Sequence, residues 1–366
     1  MSGNFLKRVP VAFVALAASV SVFAATDTDT RLQQLEQQMK QVRTETASGT
    51  YGAKTASARP EVDGAGAYFM IDAVVWKANV GGSEYAYTDN DALAAYPLSG
   101  SMKDVDFGWD WGVKVGLGYN FEHDNWEADF LFTYFSSSEG NNVSAGTASS
   151  IVPLKGAADL GGADLDFCTR ATSNYRFVYD NIDVELARNY FVSKSLSLRP
   201  HFGVKSSWLT LKQSVRYTGG AFSGNTFLNK DQSKFWGIGP AAGMNSKWHL
   251  CQGFSFFGDV SGALLWGYYK VNHLENNTHA PTVDNIYISA NMHRFCPTAQ
   301  LALGISYDSY MNDDKQHIGI SLGWETIYYW RVNQMLQIVD FASRKYSRVS
   351  EDASMQGVTL HIRWDF

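Results

Sequence analysis

The sequence is poor in charge, in cysteine and in long apolar runs. Asp, Glu, Lys and Arg make up 18% of the 366 residues, below the roughly one quarter that is usual for soluble domains. The net charge is −6, and no basic run is long enough to suggest a nucleic-acid surface. After the first 24 residues no stretch of 18 consecutive apolar residues occurs, so no transmembrane helix is predicted. What remains is a chain rich in aromatics (14%) and glycine (32 residues).

The first residues have the pattern of a secretory signal peptide. Lys7 and Arg8 form a charged beginning, residues 9–23 are apolar, and Ala24 is a small residue at the expected cleavage site. We therefore predict a signal peptide at residues 1–24 and an exported mature protein. An exported chain that lacks a transmembrane helix spans a membrane only as a closed β-barrel.

Residues 25–65 predict a short periplasmic helical segment followed by a linker. Leu32, Leu35, Met39 and Val42 repeat at heptad-like spacing, and residues 48–66 are small and polar. A heptad segment of this length is too short to be a stable helix alone. Two interpretations stay open, namely a homo-oligomer, such as a trimer, that associates through the heptad, and a frayed helical tail.

From residue 66 onward apolar and polar residues alternate. The clearest stretch is 107–121, in which every odd position is apolar and the even positions carry Gly, Asp, Lys or Asn. The chain ends on the same pattern at 358–366, where every even position is apolar and the last residue is aromatic. Strict alternation predicts strands with one apolar and one polar face. The many large apolar side chains on one face predict that this face meets lipid.

The same alternation recurs ten times, with short turns and long loops between the strands. The predicted strands are 67–79, 107–121, 126–135, 182–186, 196–205, 236–245, 254–266, 301–308, 317–325 and 358–366. The predicted long loops are 81–104, 136–173, 218–234, 271–297 and 331–354. Short turns on one side and long loops on the other are typical of outer-membrane barrels. A soluble β-sandwich shares the alternation, but it does not explain the aromatic density, the terminal Phe366 and the loop asymmetry together.

We therefore predict an all-β fold, a transmembrane antiparallel up-and-down β-barrel of about 10 strands (10–12) at residues 66–366. The last strand, 358–366, is predicted to close the barrel against the first, 67–79. Two further strands in loop 81–104 or loop 271–297 would give twelve and a wider lumen. The segment 334–346, with apolar residues near Arg344 and Lys345, predicts a short amphipathic helix at the mouth, with an irregular loop as the alternative.

Four sequence runs resemble the Legionella-type major outer membrane protein family, which also occurs in environmental relatives of chlamydiae. They are the Gln-rich heptad at 32–39, the Phe-Gly-Trp-Asp-Trp-Gly-Val-Lys-Val-Gly run at 107–116, the Phe-Gly-Val-Lys run at 202–205 and the Phe-Trp-Gly-Ile-Gly-Pro run at 235–240. The resemblance covers about residues 60–366. It implies an abundant surface porin that is often oligomeric and sometimes disulfide-crosslinked, although only three cysteines argue against extensive crosslinking.

A diffusion pore needs a polar lumen, and it needs no catalytic group, metal or cofactor. The residues predicted to line the lumen are the charged and titratable ones on the inward parity: Asp110, Lys114, Glu127, Asp129, Asp183, Glu185, Arg199, His201, Lys205, Lys247, Asp259, Asp308, His317, Glu325, His361 and Arg363. Their acidic excess predicts a weak preference for cations. The alternative is that these charges pair with each other and close a narrow ten-stranded lumen.

We predict an outer-membrane porin-like protein, not an enzyme, that admits small hydrophilic solutes and ions by passive diffusion and contributes to envelope structure. Its expected partners are outer-membrane lipid and the outer-membrane assembly machinery, with Trp364 and Phe366 as the assembly signal and both chain ends in the periplasm. The first alternative is a surface adhesin or structural barrel with a closed lumen. The second is a surface protease that uses rim residues, for which the candidates are Asp89, Asp91, His273, His279 and His293.

The three cysteines, Cys168, Cys251 and Cys296, allow one disulfide and one free thiol. Cys168 and Cys296 both fall in long loops, on the same side of the membrane, whereas Cys251 falls in a short turn on the other side. We predict a Cys168–Cys296 disulfide or intermolecular links. Buried, unreactive thiols are the alternative.

Overall fold

The fold comes from a computed structural model that describes residues 60–61, 65–92, 99–122, 124–155, 167–277, 285–312, 315–340 and 345–366. None of these residues belongs to a helix with the length and apolar character needed to cross a membrane. The predicted signal peptide (1–24) and nearly all of the predicted periplasmic segment (25–65) lie outside the described residues. Both therefore stay predictions.

Ten long strands form the wall of the molecule. They are β1 (Gly66–Val80), β4 (Trp109–Asn120), β5 (Trp126–Ser144), β7 (Arg170–Arg188), β9 (Leu196–Gly219), β10 (Phe222–Cys251), β11 (Phe254–Asn277), β13 (Met292–Met311), β14 (Gln316–Asn333) and β17 (Glu351–Asp365). Seven short strands lie in the connections: β2 (Ala86–Asp89), β3 (Met102–Lys103), β6 (Ser150–Pro153), β8 (Tyr190–Ser193), β12 (Asn285–Ser289), β15 (Leu336–Asp340) and β16 (Lys345–Arg348). Each wall strand pairs antiparallel with the next wall strand along the chain. All ten predicted strands are confirmed.

The last strand closes the barrel against the first. β17 pairs with β1 in a continuous antiparallel register, in which Asp72 lies opposite His361 and Ala73 lies opposite Leu360. This is the pairing that the sequence predicts for the C-terminal stretch. Because the sheet returns to its first strand, no wall strand presents an unpaired edge to the membrane. The described wall has ten strands and not twelve.

The outer face of the wall is apolar, as the alternation predicts. Along β17 the side chains of Leu360, Ile362 and Trp364 are exposed on the outside, whereas Asp365 is completely buried inside. Exposed aromatics form one girdle near the short turns, comprising Tyr119, Phe121, Trp248, Phe254, Tyr307, Trp364 and Phe366, and a second girdle towards the loops, comprising Trp109, Trp111, Trp236, Trp266 and Trp324. Such girdles mark the two membrane interfaces of outer-membrane barrels.

The long connections are mostly not loops, which corrects the predicted loop boundaries. β10 alone has 30 residues, about three times the 9–11 residues that a membrane strand needs. β9 and β10 meet in a tight turn, where Gly219 and Gly220 take left-handed φ angles of +75° and +61°, so the predicted loop 218–234 is a hairpin. The strands therefore continue beyond the loop-side girdle as an extracellular extension of the barrel. Apolar and polar residues still alternate in this extension. Its outer face is no longer apolar, because it does not meet lipid.

The remaining loop segments form small sheets over and inside this extension. β3, β2 and β6 make a three-stranded sheet, so the extra strands in loop 81–104 do not enter the wall and do not widen the barrel. β15 and β16 pair as an antiparallel hairpin. The amphipathic helix predicted for 334–346 is therefore wrong in the described residues of that segment. Its alternating burial from Leu336 to Val339 fits a strand, and an apolar run this short does not separate the two periods.

The interior of the extracellular extension is filled by an apolar core. Inward side chains of the wall and of the loop sheets pack there and are completely or almost completely buried: Val74, Trp76, Tyr85, Phe107, Phe135, Tyr175, Phe177, Leu209, Leu211, Tyr217, Phe222, Leu265 and Met335. The rings contact one another in a chain, with centroids 5.5 Å apart for Trp76 and Phe135 and 6.1 Å apart for Phe135 and Phe177. We call this region the apolar plug.

The cysteines are free thiols in the structure, and the predicted Cys168–Cys296 bond is not formed. Cys168 is completely buried beside Ile151, with which it forms an antiparallel bridge. Cys296 is also buried, and its thiol donates a hydrogen bond to the Trp330 carbonyl over 3.3 Å. Cys251 is exposed at the turn side. Each of the two buried thiols is thus packed in its own part of the wall.

This arrangement predicts one reactive thiol in the native protein. Burial raises the pKa of Cys168 from its ordinary value of 9.0 to about 12, which lowers its thiolate fraction at pH 8 by about a thousandfold. We expect maleimide to modify Cys251 within minutes and to modify all three thiols only after unfolding, as counted by mass spectrometry. A Cys251→Ser variant that still takes up label rapidly in the native state would contradict this expectation.

Candidate functional site

The inward face of the membrane-spanning wall is polar and encloses a chamber. Side chains from all ten wall strands line a cavity of about 290 Å³ between the short turns and the apolar plug. The chamber exists because small inward residues alternate with the charged ones. On β13 and β14 the wall is made of Ala302, Gly319, Ser321 and Gly323, which leave space that larger side chains would fill.

Lys114 and Glu325 form a buried ion pair at the top of the chamber. Lys114 Nζ lies 2.6 Å and 2.8 Å from the two carboxylate oxygens of Glu325, which also accept hydrogen bonds from Gln300 and Thr359. The Lys114 ammonium also lies over the Trp76 ring, 5.2 Å from its centroid. This pair therefore marks the boundary between the polar chamber and the apolar plug.

Two arginines cross the chamber near its turn side. Arg199 binds Glu127 through Nε at 3.1 Å and also pairs with Asp129. Arg363 donates to Asp365 over 2.8 Å from Nη2, and its guanidinium carbon lies 3.7 Å from the centroid of the Tyr68 ring. The planar guanidinium suits such sites because it satisfies several acceptors at once.

Three further ion pairs complete the network. Lys205 Nζ lies 2.9 Å from Asp183, and Lys247 Nζ lies 3.2 Å from Asp308. Asp308 also faces His317 Nε2 at 3.1 Å. Two of these pairs join neighbouring strands, and the Lys247–Asp308 pair spans β11 to join β10 to β13. Such pairing is what the alternative of a charge-paired lumen predicts.

His361 and Asp72 form the pair that joins the first strand to the last, with Nδ1 and Oδ1 2.5 Å apart. Asp72 is a chamber residue that the sequence pattern does not identify, because the strand 67–79 is apolar on both parities. Asp72 is the one carboxylate in this strand, and that single negative charge in an apolar stretch is the signal that could have identified it as an inward residue. Glu61, which lies at the turn-side end of the chamber, precedes the strands and carries no such signal.

Most of the predicted lumen residues lie around one cavity. The chamber is lined by thirteen of the sixteen: Lys114, Asp129, Asp183, Glu185, Arg199, His201, Lys247, Asp259, Asp308, His317, Glu325, His361 and Arg363. Glu127 and Lys205 are buried beside it in the ion pairs above. Asp110 lies on β4 opposite Trp76, at the level of the apolar plug.

The chamber carries an excess of negative charge. Eight carboxylates and four Lys or Arg side chains line it. Among the described residues, no Lys or Arg forms an ion pair with Glu185 or Asp259. Glu185 faces only His201 Nε2 at 3.9 Å, and Asp259 accepts a hydrogen bond from Asn245. The electrostatic potential of the chamber therefore favours cations.

A second titratable cluster lies in the extracellular extension, above the chamber. His273 is almost completely buried between two carboxylates, with Nδ1 2.5 Å from Asp231 and Nε2 2.6 Å from Glu275. Tyr346 of β16 donates a hydrogen bond to Glu275 over 2.9 Å. Burial alone would lower the pKa of His273, but the hydrogen bonds to both carboxylates outweigh it and raise the pKa to about 9. The cluster thus holds the β15–β16 hairpin to the barrel wall.

We expect this cluster to make stability depend on pH. The folded pKa of His273, about 9, lies above its ordinary value of 6.5, so its contribution is fully present below pH 6.5 and is lost as pH rises through 9. The contribution is on the order of 3 kcal/mol. Thermal unfolding should show a lower Tm at pH 9.5 than at pH 6.5, and His273→Gln should remove most of this difference. An unchanged pH dependence in that variant would contradict the assignment.

Three of the rim residues considered for a protease lie in different surroundings. Asp89 is buried and accepts a hydrogen bond from the Ser99 amide, His273 lies in the cluster above, and His293 packs 6.0 Å from the Trp266 ring centroid on the outer face. His279 lies outside the described residues. In the part of the chain that the structure describes, no group of three or more His, Cys, Asp or Glu is arranged to hold a metal ion.

Comparison with known proteins decides the family. The family model described as Legionella pneumophila major outer membrane protein precursor matches residues 64–366. The chain belongs to this family. The match covers the whole barrel, and it confirms the resemblance that the sequence runs indicate. The family and the closed girdled barrel together place this protein in the bacterial outer membrane.

Solved structures share only the general architecture. Outer membrane protease OmpT from Escherichia coli is 11% identical, with 82% of this chain and 97% of that chain covered and a TM-score of 0.45. A Pseudomonas aeruginosa FadL homologue is 7% identical (89% and 97% covered, TM-score 0.27). The Pseudomonas putida toluene transporter TodX is 8% identical (82% and 89% covered, TM-score 0.25). No curated protein matches the sequence. These likenesses are too low to bear on function.

Proposed function

We propose that this protein is a porin whose resting lumen is closed at the cell surface. In this proposal the polar chamber is the membrane-spanning part of a diffusion pathway for small hydrophilic solutes, and the apolar plug is its gate. The observation that carries the proposal is the chamber itself, a cavity of about 290 Å³ with eight carboxylates and four Lys or Arg side chains on its wall. Charged residues around a cavity that is large enough to hold water are what an ion-conducting lumen requires.

The position of the plug supports a closed resting state. The plug begins at the level of the loop-side girdle and continues into the extracellular extension, and it contains loop residues such as Tyr85 and Phe107 as well as wall residues. Loop segments rearrange more easily than paired wall strands, because fewer backbone hydrogen bonds hold them. Opening therefore requires movement of these loop segments and leaves the barrel wall intact.

The second candidate is a structural barrel with a permanently closed lumen. It is favoured by the ion pairs of the chamber, since Lys114, Lys205, Lys247 and both chamber arginines each have a carboxylate partner within 4 Å. Fully paired charges stiffen a small barrel. In this candidate the extracellular sheets serve as a binding surface, and the chamber has no transport role.

Planar-bilayer recording separates the two candidates. We expect refolded full-length protein to show mostly closed behaviour with brief ohmic openings, and we expect the reversal potential in a KCl gradient to indicate preference for K⁺ over Cl⁻. Heat-modifiable migration on gels serves as the control for an intact barrel. Absence of any openings from protein with an intact barrel would overturn the porin proposal and favour the structural barrel.

A further inference from the structure

A group of acceptors on three neighbouring strands of the chamber lacks a donor. Asp129 on β5 lies directly opposite Glu185 on β7, so two carboxylates occupy a cross-strand pair. Like charges in this position repel unless a cation lies between them. Arg199 binds one oxygen of Asp129, but the other, Oδ1, is buried and has no partner among the described residues, and the side chain is only 10% exposed.

His201 on β9 completes the group, and its tautomer follows from its neighbours. Asn245 Oδ1 accepts a hydrogen bond from Arg199 over 3.0 Å, and it faces His201 Nδ1 at 3.1 Å. The amide oxygen cannot donate, so Nδ1 carries the hydrogen. In this tautomer Nε2 is the acceptor nitrogen, and it faces Glu185 Oε1 at 3.9 Å. Two acceptors then face each other across a gap that lacks a proton donor.

The space around these acceptors is preserved by a glycine. A Cβ atom at Gly243 would lie 2.5 Å from His201 Nε2, so any other residue at this position would push the ring out of place. The His201 side chain is itself only 5% exposed. The site is therefore held on wall strands by packing, and it opens into a cavity that is about ten times the roughly 30 Å³ share of one water molecule.

We propose that Asp129, Glu185 and His201 form a binding site for the ammonium group of a small alkylamine. A primary ammonium carries three N–H donors, and the site offers three acceptors on three adjacent strands: Asp129 Oδ1, a Glu185 oxygen and His201 Nε2. The rest of the amine lies in the chamber, beside the small side chains of β13 and β14. The inference deepens the proposed function, because it names primary amines as a solute class that the chamber selects.

The test compares two dications on refolded full-length protein in detergent micelles. Putrescine carries two primary ammonium groups, and its hexamethyl analogue carries the same charge without N–H donors. Binding is measured by calorimetry and by the NMR shift of the His201 ring. We expect putrescine to bind at least about tenfold more tightly than the analogue, since a hydrogen bond to a charged group contributes about 1.5–3 kcal/mol.

Two matched variants separate the site from the general charge of the chamber. Glu185→Gln and Asp259→Asn each remove one chamber carboxylate, but only the first removes a negative charge from the site itself. We expect Glu185→Gln to weaken putrescine binding at least about tenfold and Asp259→Asn to weaken it less than about threefold. Equal weakening in both variants, equal binding of both dications, or no putrescine binding to the wild type would overturn the proposal. Because binding is measured without a bilayer, failure of conduction would leave this result unaffected.

Discussion

In planar bilayers the double variant Trp76→Ala/Phe135→Ala is expected to carry continuous ionic current under conditions in which the wild-type protein is mostly closed. The two rings lie 5.5 Å apart in the lowest layer of the apolar plug, and both are completely buried. Trp76 also contacts the ammonium of Lys114, so its removal joins the polar chamber to the space above. We expect an increase in open time of at least about tenfold, alongside a loss of about 3–5 kcal/mol of stability for each large aromatic side chain deleted.

The chain offers a matched control for this variant. Trp109 and Trp324 form an edge-to-face pair with centroids 5.8 Å apart at a similar height, but both lie on the outer face, 54% and 46% exposed. Trp109→Ala/Trp324→Ala removes a comparable ring contact and leaves the lumen unchanged. It should stay as closed as the wild type. Equal currents from both double variants would mean that the plug is not the gate, and that any current comes from general loosening of the wall.

The alternation of the sequence has two different physical causes along one strand. In the membrane the outer face is apolar because it meets lipid, and the inner face is polar because it lines the chamber. In the extracellular extension the inner face becomes apolar, as in β9, where His201 and Lys205 are followed on the same inward parity by Leu209 and Leu211. A period of two continues through this change. The pattern alone therefore does not reveal where the lumen ends.

This is why the sequence predicts the wall well and the plug poorly. The ten wall strands, the closing pair and the inward direction of the predicted charges follow from local alternation, which is set by the strand itself. The plug depends on contacts between distant segments, such as Phe107 against Tyr175, with ring centroids 5.3 Å apart. Phe107 shares the outward parity of Trp109 in the sequence, but it precedes β4 and turns inward. Nothing in the local pattern distinguishes the two.

The ion pairs of the chamber are likewise not predictable from local sequence. The inward charges are predictable, but their partners are set by the curvature of a closed wall. Lys114 and Glu325 are 211 positions apart along the chain, and they meet only because β4 and β14 lie on either side of the β1–β17 closure. Glu185 likewise lacks a Lys or Arg partner because Arg199 pairs with Glu127 and Asp129 instead. Spacing in the sequence carries no information about this choice.

Lys114→Met is expected to destabilise the barrel by about 3–5 kcal/mol, because it leaves the buried Glu325 carboxylate without its cation. Both side chains are almost inaccessible, at 6% and 3% exposure. Gln300 and Thr359 still donate to Glu325, but neutral donors do not compensate its charge. Urea unfolding followed by tryptophan fluorescence measures the loss. The double variant Lys114→Met/Glu325→Gln should recover a large part of it, since no uncompensated charge then remains at this pair.

The surface pair Lys77–Asp106 is the control for this cycle. Its atoms are as close, at 2.7 Å, but the side chains are 35% and 77% exposed, so Lys77→Met should cost only about 0–1 kcal/mol. A cost for Lys114→Met as small as that of Lys77→Met would show that water reaches Glu325 freely. In that case the boundary between chamber and plug is already open in the resting protein, and the apolar plug is not what closes the lumen. The stability of one ion pair thus tests the gating proposal without any measurement of current.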